Sequence, residues 1–292
     1  MIKNTCLTYP LFLALLLVLL GTIFIGCDPA EPDPSFIYIH EAILNSDAET
    51  QGTSSHKITD AWVYINDNPI GVYELPALVP VLETGTVNVK VLAGIIVNGI
   101  SDTRDVYPYY NSYEVNLDLV AYNTDTIQPV FGYNTIALFR YIYDFETSSG
   151  FEPKDEFTQQ EFVDNPALVY EGQRSLFVDI DSSQPNFHVG TINMEPFDLA
   201  SLREAYLELN YKCDAPFSIN LRVLKDGNYI EDDILYINKK ENWNKIYVKL
   251  SDAMKASQGQ LFEIGFKAES LPSGLTEAKY YFDNVKFVYS NI

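Results

Sequence analysis

The chain has 292 residues and carries 40 Asp and Glu against 19 Lys and Arg, a formal net charge of −21. That balance excludes nucleic-acid binding, which rests on clustered Lys and Arg, and adsorption to anionic lipid through protein charge. Its length is enough for one large or two ordinary domains.

Lys3 opens a leader in which Leu11 to Ile25, fifteen residues, carries no charge. A membrane-spanning helix needs roughly 20 apolar residues, so this stretch instead fits the core of a secretory signal. Its end, Phe24-Ile25-Gly26-Cys27, resembles a bacterial lipobox. The resemblance implies removal of residues 1–26, acylation of Cys27 as the first mature residue, and a membrane link through that N-terminal lipid. The leader holds one Lys and no acid, so the mature chain keeps 18 cations against 40 acids. Cys6 leaves with the signal and Cys27 takes lipid, which leaves Cys213 alone and allows no intramolecular disulfide.

Residues 27–35 form an acidic, Pro-rich tether, Asp28-Pro29-Ala30-Glu31-Pro32-Asp33-Pro34, held extended by its prolines and by charge repulsion. Acids just after the cysteine resemble the surface-export signals of Bacteroidota lipoproteins. In other Gram-negative groups an aspartate there resembles an inner-membrane retention signal. The first reading implies an outer-membrane, lipid-anchored protein facing the periplasm or the cell surface.

The 21 Tyr and 17 Phe against three Met, with many Val and Ile, favour strands over helices. Residues 36–138 read as one block of short strands. Ile58 to Ile65 and Ile70 to Leu75 flank Asn66-Asp67-Asn68-Pro69, a turn sequence that predicts a hairpin. Thr86 to Val91 alternates cleanly and predicts one buried face. Six to eight strands in about 100 residues imply a β-sandwich, and the block resembles Ig-like or transthyretin-like surface domains. Residues 139–292 continue with strands at Ala205–Tyr211, Phe217–Val223 and Trp243–Leu250, and a turn or two of helix is expected at Phe197–Glu204.

The second block carries Asp144-Phe145-Glu146, Glu171-Gly172-Gln173-Arg174-Ser175-Leu176, Trp243 to Leu250 and Phe282-Asp283-Asn284-Val285 in that order. This series resembles the galactose-binding-like jelly rolls of carbohydrate-binding modules. The expected fold is therefore all-β, a sandwich followed by a jelly roll. The resemblance also implies a structural calcium between Glu146 of the first strand, Asp283 of the last and the loop at Gly172. Calcium takes six to eight oxygens, carbonyls included.

Sugars are gripped by aromatic rings assisted by planar amide or guanidinium donors. Period-two alternation turns Trp243 and Tyr247 outward when Ile246, Val248 and Leu250 face the core. It likewise turns Asn220 and Arg222 outward. These four residues are the expected ligand-binding surface. His40, His56 and His188 are scattered, and no nucleotide-binding or nucleophile-elbow motif is present. The functional expectation is non-catalytic recognition at the envelope with a glycan as ligand. The alternative is an accessory subunit that binds an outer-membrane protein partner by strand addition or face packing.

Overall fold

The computed structural model describes residues 33–291. The leader, Cys27 and the tether up to residue 32 lie outside the described residues. Among the described residues no helix is long and apolar enough to cross a membrane.

The first unit holds ten strands: β1 (Ser35–Ile39), β2 (Ile43–Asn45), β3 (Asp60–Ile65), β4 (Asn68–Glu74), β5 (Ala77–Val81), β6 (Gly85–Ile96), β7 (Arg104–Val106), β8 (Tyr113–Leu119), β9 (Thr124–Ile127) and β10 (Val130–Gly132). They form a sandwich in which β4-β3-β6-β7, with β8 also on β6, faces the smaller groups β5-β1-β9 and β10-β2. Alternation fixes which side is buried: Val87, Val89 and Val91 of β6 join Val63, Ile65, Ile37 and Ile39 in the core. The hairpin turn is tighter than its sequence implies. Asn66 and Asp67 alone take left-handed φ values of 50° and 64°, the two-residue geometry that suits the twist of paired strands. Pro69 then sits within β4, where an edge position tolerates its missing N–H.

The second unit contains β11 (Leu138–Tyr143), β12 (Phe151–Pro153), β13 (Gln160–Val163), β14 (Ser175–Asp181), β15 (Phe187–Thr191), β16 (Glu195–Pro196), β17 (Leu202–Cys213), β18 (Phe217–Lys225), β19 (Asn228–Ile237), β20 (Lys240–Lys249), α1 (Ser251–Ser257), β21 (Leu261–Ala268) and β22 (Glu277–Asn291). Two six-stranded sheets, β13-β14-β22-β17-β20 with β11 on β22, and β12-β15-β21-β18-β19 with β16 on β21, make a jelly-roll sandwich. Stacked rings fill it: Phe266 lies 4.6 Å from Phe282 and 5.1 Å from Phe151, centroid to centroid. Cys213 is free and buried, and burial pushes its thiol up to about 11, so it serves as core rather than nucleophile.

The helix is not where the sequence placed its turns. At Phe197–Glu204 one turn forms, with the Leu202 N–H donating to the Asp198 carbonyl at 2.9 Å, and β17 takes over. The seven residues of α1 instead carry Asp252 in the first turn and Lys255 in the last, charges that suit the helix dipole. Seven residues are too few to show an apolar period.

The two units share a wide seam. The first unit covers the outer side of β17, β20 and β22, so Tyr206, Tyr247 and Val288 belong to the first unit's apolar cluster. Tyr107 sits at its centre, its ring 5.3 Å from Tyr206 and 4.9 Å from Tyr247. The Asn98 N–H donates to the Tyr247 carbonyl at 2.8 Å and Asn98 Oδ1 accepts the Lys249 N–H at 2.9 Å. Beneath the rings lies a buried charge cluster. Glu208 Oε1 accepts the Tyr107 and Tyr133 hydroxyls, each at 2.8 Å, while Oε2 lies 2.9 Å from Lys245 Nζ. Burial works against the Glu208 carboxylate, yet Lys245, Lys286 and the Tyr107 hydroxyl outweigh it and hold its pKa below the ordinary value.

Candidate functional site

The four residues expected to bind a ligand do not form one surface. Asn220 and Arg222 lie on β18, whereas Trp243 and Tyr247 lie on β20 of the other sheet. All four point away from the sandwich core, as alternation requires, but toward opposite sides of it. Tyr247 is 1% exposed, with its hydroxyl 3.1 Å from that of Tyr110 across the seam. Trp243 is half-buried, edge-on to Tyr170 and Tyr281 at 5.5 and 6.4 Å. The expected surface is therefore corrected: the first unit occupies the β20 face, and on the outer face of β18 only Arg222 is partly open, Asn220 being buried at 1% exposure.

That outer face is built across β12, β15, β21, β18 and β19. Gly190 and Gly265 are cross-strand partners at its centre. A Cβ on Gly265 would lie 2.2 Å from Asn220 Oδ1, and one on Gly190 would lie 2.6 Å from Glu263 Oε1. The bare sheet thus lets the Asn220 amide and the Glu263 carboxylate lie flat against it. Lys154 Nζ crosses to Glu263 Oε2 at 3.0 Å and Glu152 Oε1 at 2.9 Å. Arg222 Nη1 stands 3.8 Å from the same Glu263 oxygen.

Toward β19 the face opens to solvent. Asn220 pairs with Asp233 and Arg222 with Glu231 in register. Lys267 Nζ reaches Glu231 at 3.1 Å and Asp233 at 3.0 Å. Burial disfavours the Lys267 ammonium, but these two carboxylates overcome it and raise its pKa. Asn220 Nδ2 donates to His188 Nε2 at 2.9 Å and to Glu231 Oε1 at 3.3 Å, which makes Nε2 the acceptor and puts the ring proton on Nδ1. Burial lowers the His188 pKa, consistent with that neutral ring. Tyr229 and Tyr236 are 60% and 70% exposed at the rim. The Arg222 guanidinium lies over the Tyr229 ring, 4.4 Å from its centroid. Asn220 Oδ1 and Glu263 Oε1 are buried without a hydrogen-bond donor. An orphaned buried oxygen costs about 1–3 kcal/mol, so this network has acceptor capacity left over.

Sequence reading missed His188, Glu231, Glu263, Lys267 and the two glycines, because their meaning lies in strand register. Tyr229 carried a local signal: it follows Asp226-Gly227 in a hairpin turn between two alternating strands.

Glu146, Gly172 and Asp283 do converge, but as a capped loop. Glu146 Oε1 accepts the N–H groups of Gln173 at 2.8 Å and Arg174 at 3.2 Å, and the Arg174 guanidinium donates to the Glu146 carbonyl. Gly172, at φ 74°, leaves room for that carboxylate; a Cβ there would lie 2.2 Å from Glu146 Oε1. Asp283 Oδ2 accepts the Ser175 hydroxyl at 2.6 Å and Oδ1 accepts the Asn284 N–H at 2.8 Å. Burial pushes Asp283 up to about 6 against those bonds. The loop offers N–H groups to Glu146 where calcium needs carbonyl oxygens, and Lys286 lines the adjoining cavity with Glu146 and Glu171. No group of three acids, His or Cys suited to a metal ion occurs among the described residues. The donor set as arranged does not fit calcium.

No family model matches the chain, and no curated protein matches it. Solved structures similar to it include a family 11 carbohydrate-binding module from Clostridium thermocellum in complex with a β-1,3-1,4-mixed-linked tetrasaccharide, at 11% identity and TM-score 0.36, covering 52% of this chain and 94% of that one. TmCBM61 in complex with β-1,4-galactotriose is similar at 10% identity and TM-score 0.30, over 47% of this chain and 85% of that one. A CBM29-2 variant complexed with cellulohexaose is similar at 11% identity and TM-score 0.34, over 53% and 93%.

Proposed function

We propose that this chain is a non-catalytic recognition protein that binds a glycan on the open face of β18 and β19, tethered to the cell envelope through acylated Cys27. One observation carries the ligand class: an exposed Tyr229 ring held under the Arg222 guanidinium. An aromatic face binds the C–H side of a sugar, and planar donors bind its hydroxyls. The polar groups around it are of both signs and largely paired, which suits a neutral polyol.

In affinity electrophoresis against a panel of neutral polysaccharides, the full chain is expected to be retarded by at least one. Tyr229→Ala should weaken that retention by about tenfold or more, the worth of one lost stacking and cation contact. Absence of retention across the panel, or retention unchanged in Tyr229→Ala, would remove the reading.

The anchor rests on the leader and on Phe24-Ile25-Gly26-Cys27, with the acids that follow favouring an outer-membrane address. Cys27→Ser is expected to abolish incorporation of a palmitate analogue and to release the protein from envelope fractions. A variant that still labels and sediments like the parent would sink it. Exposed Leu78 on edge strand β5 and Leu82 just after it favour the accessory-subunit reading. Exposed Pro80 and the half-buried rings of Phe36 and Tyr38, paired opposite on β1, extend the same outer face.

A further inference from the structure

On the seam, away from the glycan face, a cavity of about 90 Å³ is lined by Lys57 of the first unit and by Tyr211, Lys240, Asn244, Lys245 and Ile246 of the second. Its charged lining is entirely lysine, in a chain where acids outnumber cations 40 to 19. Chance placement in so acidic a chain would put carboxylates there. Lys245, with a side chain 2% exposed, is neutralised from behind by Glu208 at 2.9 Å. Lys57 and Lys240 differ. Lys57 Nζ donates to Asn244 Oδ1 at 2.6 Å, a neutral acceptor. Neighbouring Lys239 takes Glu241 at 3.1 Å, while no carboxylate among the described residues stands within ion-pair distance of Lys57 or Lys240. Burial and then the charge of Lys240 lower the Lys57 pKa, as suits two cations that line one cavity.

Two like charges lining one cavity attract an anion that can touch both. The volume sets the size of that anion. A water takes about 30 Å³ of liquid, so the space holds the equivalent of about three waters. That admits a tetrahedral oxyanion. The Tyr211 hydroxyl, which accepts from Asn244 Nδ2 at 3.1 Å, retains its own proton to donate.

We propose that this cavity is a binding site for a small oxyanion, sulfate or phosphate in chemistry, bridging Lys57 of the first unit to Lys240 of the second. An anion held by both units binds the folded chain only, and so stabilises it by mass action. Its source is either the free inorganic ion or a sulfate or phosphate ester on a larger molecule.

Calorimetric titration of the full chain with inorganic sulfate and with phosphate, at ionic strength held constant with chloride, tests this directly. One saturable site per chain is expected for at least one of the two, together with a rise in melting temperature that chloride does not reproduce. Lys57→Gln and Lys240→Gln should each weaken binding by at least about tenfold, and Lys240→Arg should retain it. Both lysines are exposed, so the variants are expected to keep the parent's near-UV circular dichroism. A sulfated polysaccharide in parallel distinguishes the sources: competition with the inorganic ion assigns the site to an ester, and no competition assigns it to the free ion. No saturable heat in the parent, or binding unchanged in the Lys57→Gln, Lys240→Gln double variant, overturns the proposal.

Discussion

Replacing Glu208 by Gln is expected to lower the unfolding free energy of the full chain by about 3–5 kcal/mol, the usual loss when one partner of a buried ion pair is removed. Glu208 is 0% exposed and the Lys245 side chain 2% exposed, so water cannot replace the missing charge. Lys286 stands in the same cluster, where burial already lowers its ammonium to about 8 despite the help of Glu208. The amide oxygen can still accept both tyrosine hydroxyls that now reach Oε1, which isolates loss of charge from loss of shape. Urea denaturation of the parent and variant gives the difference. The double variant Glu208→Gln, Lys245→Met should recover much of it, because the cation in direct contact with the lost carboxylate is then gone, leaving only Lys286, whose lowered pKa lets it shed its charge more readily. A loss below about 1 kcal/mol would show that solvent reaches the pair. The sign with pH follows from the same cluster. The folded pKa of Glu208 is depressed below 4.5, so its contribution is present above pH 4.5 and is lost as pH falls through the folded value.

How much of this was legible before the structure depended on distance along the chain. Alternation is local, and it correctly put Val87, Val89 and Val91 inward and turned Asn220, Arg222, Trp243 and Tyr247 away from the jelly-roll core. The Asn66-Asp67 turn was equally local, since both residues tolerate left-handed φ. What alternation cannot supply is the sheet that a strand joins or the body that covers its outer side. β18 and β20 are separated by one hairpin strand, yet they lie in different sheets. Tyr247 is covered by Tyr107 and Tyr110, more than a hundred residues earlier. Gly190 and Gly265 have no meaning until register sets them opposite each other. The acids Glu146 and Asp283 were correctly placed beside one loop, but whether a loop turns carbonyls or N–H groups inward is decided by backbone angles that composition does not reveal.

The same seam makes a second large effect. The full chain is expected to unfold in one calorimetric transition, although its two hydrophobic cores would by themselves predict two. Tyr107, Tyr109, Tyr206 and Tyr247 are each no more than 2% exposed, and all four are buried by contact between the units. At about 2 kcal/mol for a large side chain fully withdrawn from water, four such residues couple the units by on the order of 8 kcal/mol before any hydrogen bond is counted. That is comparable to the whole stability of a typical domain, about 5–15 kcal/mol, so neither unit can melt while the other stays folded. Residues 137–291 expressed alone should therefore expose Tyr206, Tyr247 and the Glu208–Lys245 pair, and should bind a hydrophobic dye that the full chain does not. Two well-separated transitions in the full chain would mean that the seam is weak and that the units behave as independent beads. Weakening the seam with Tyr107→Ala, which empties its centre, should split the single transition into two, and the extent of splitting measures the coupling directly.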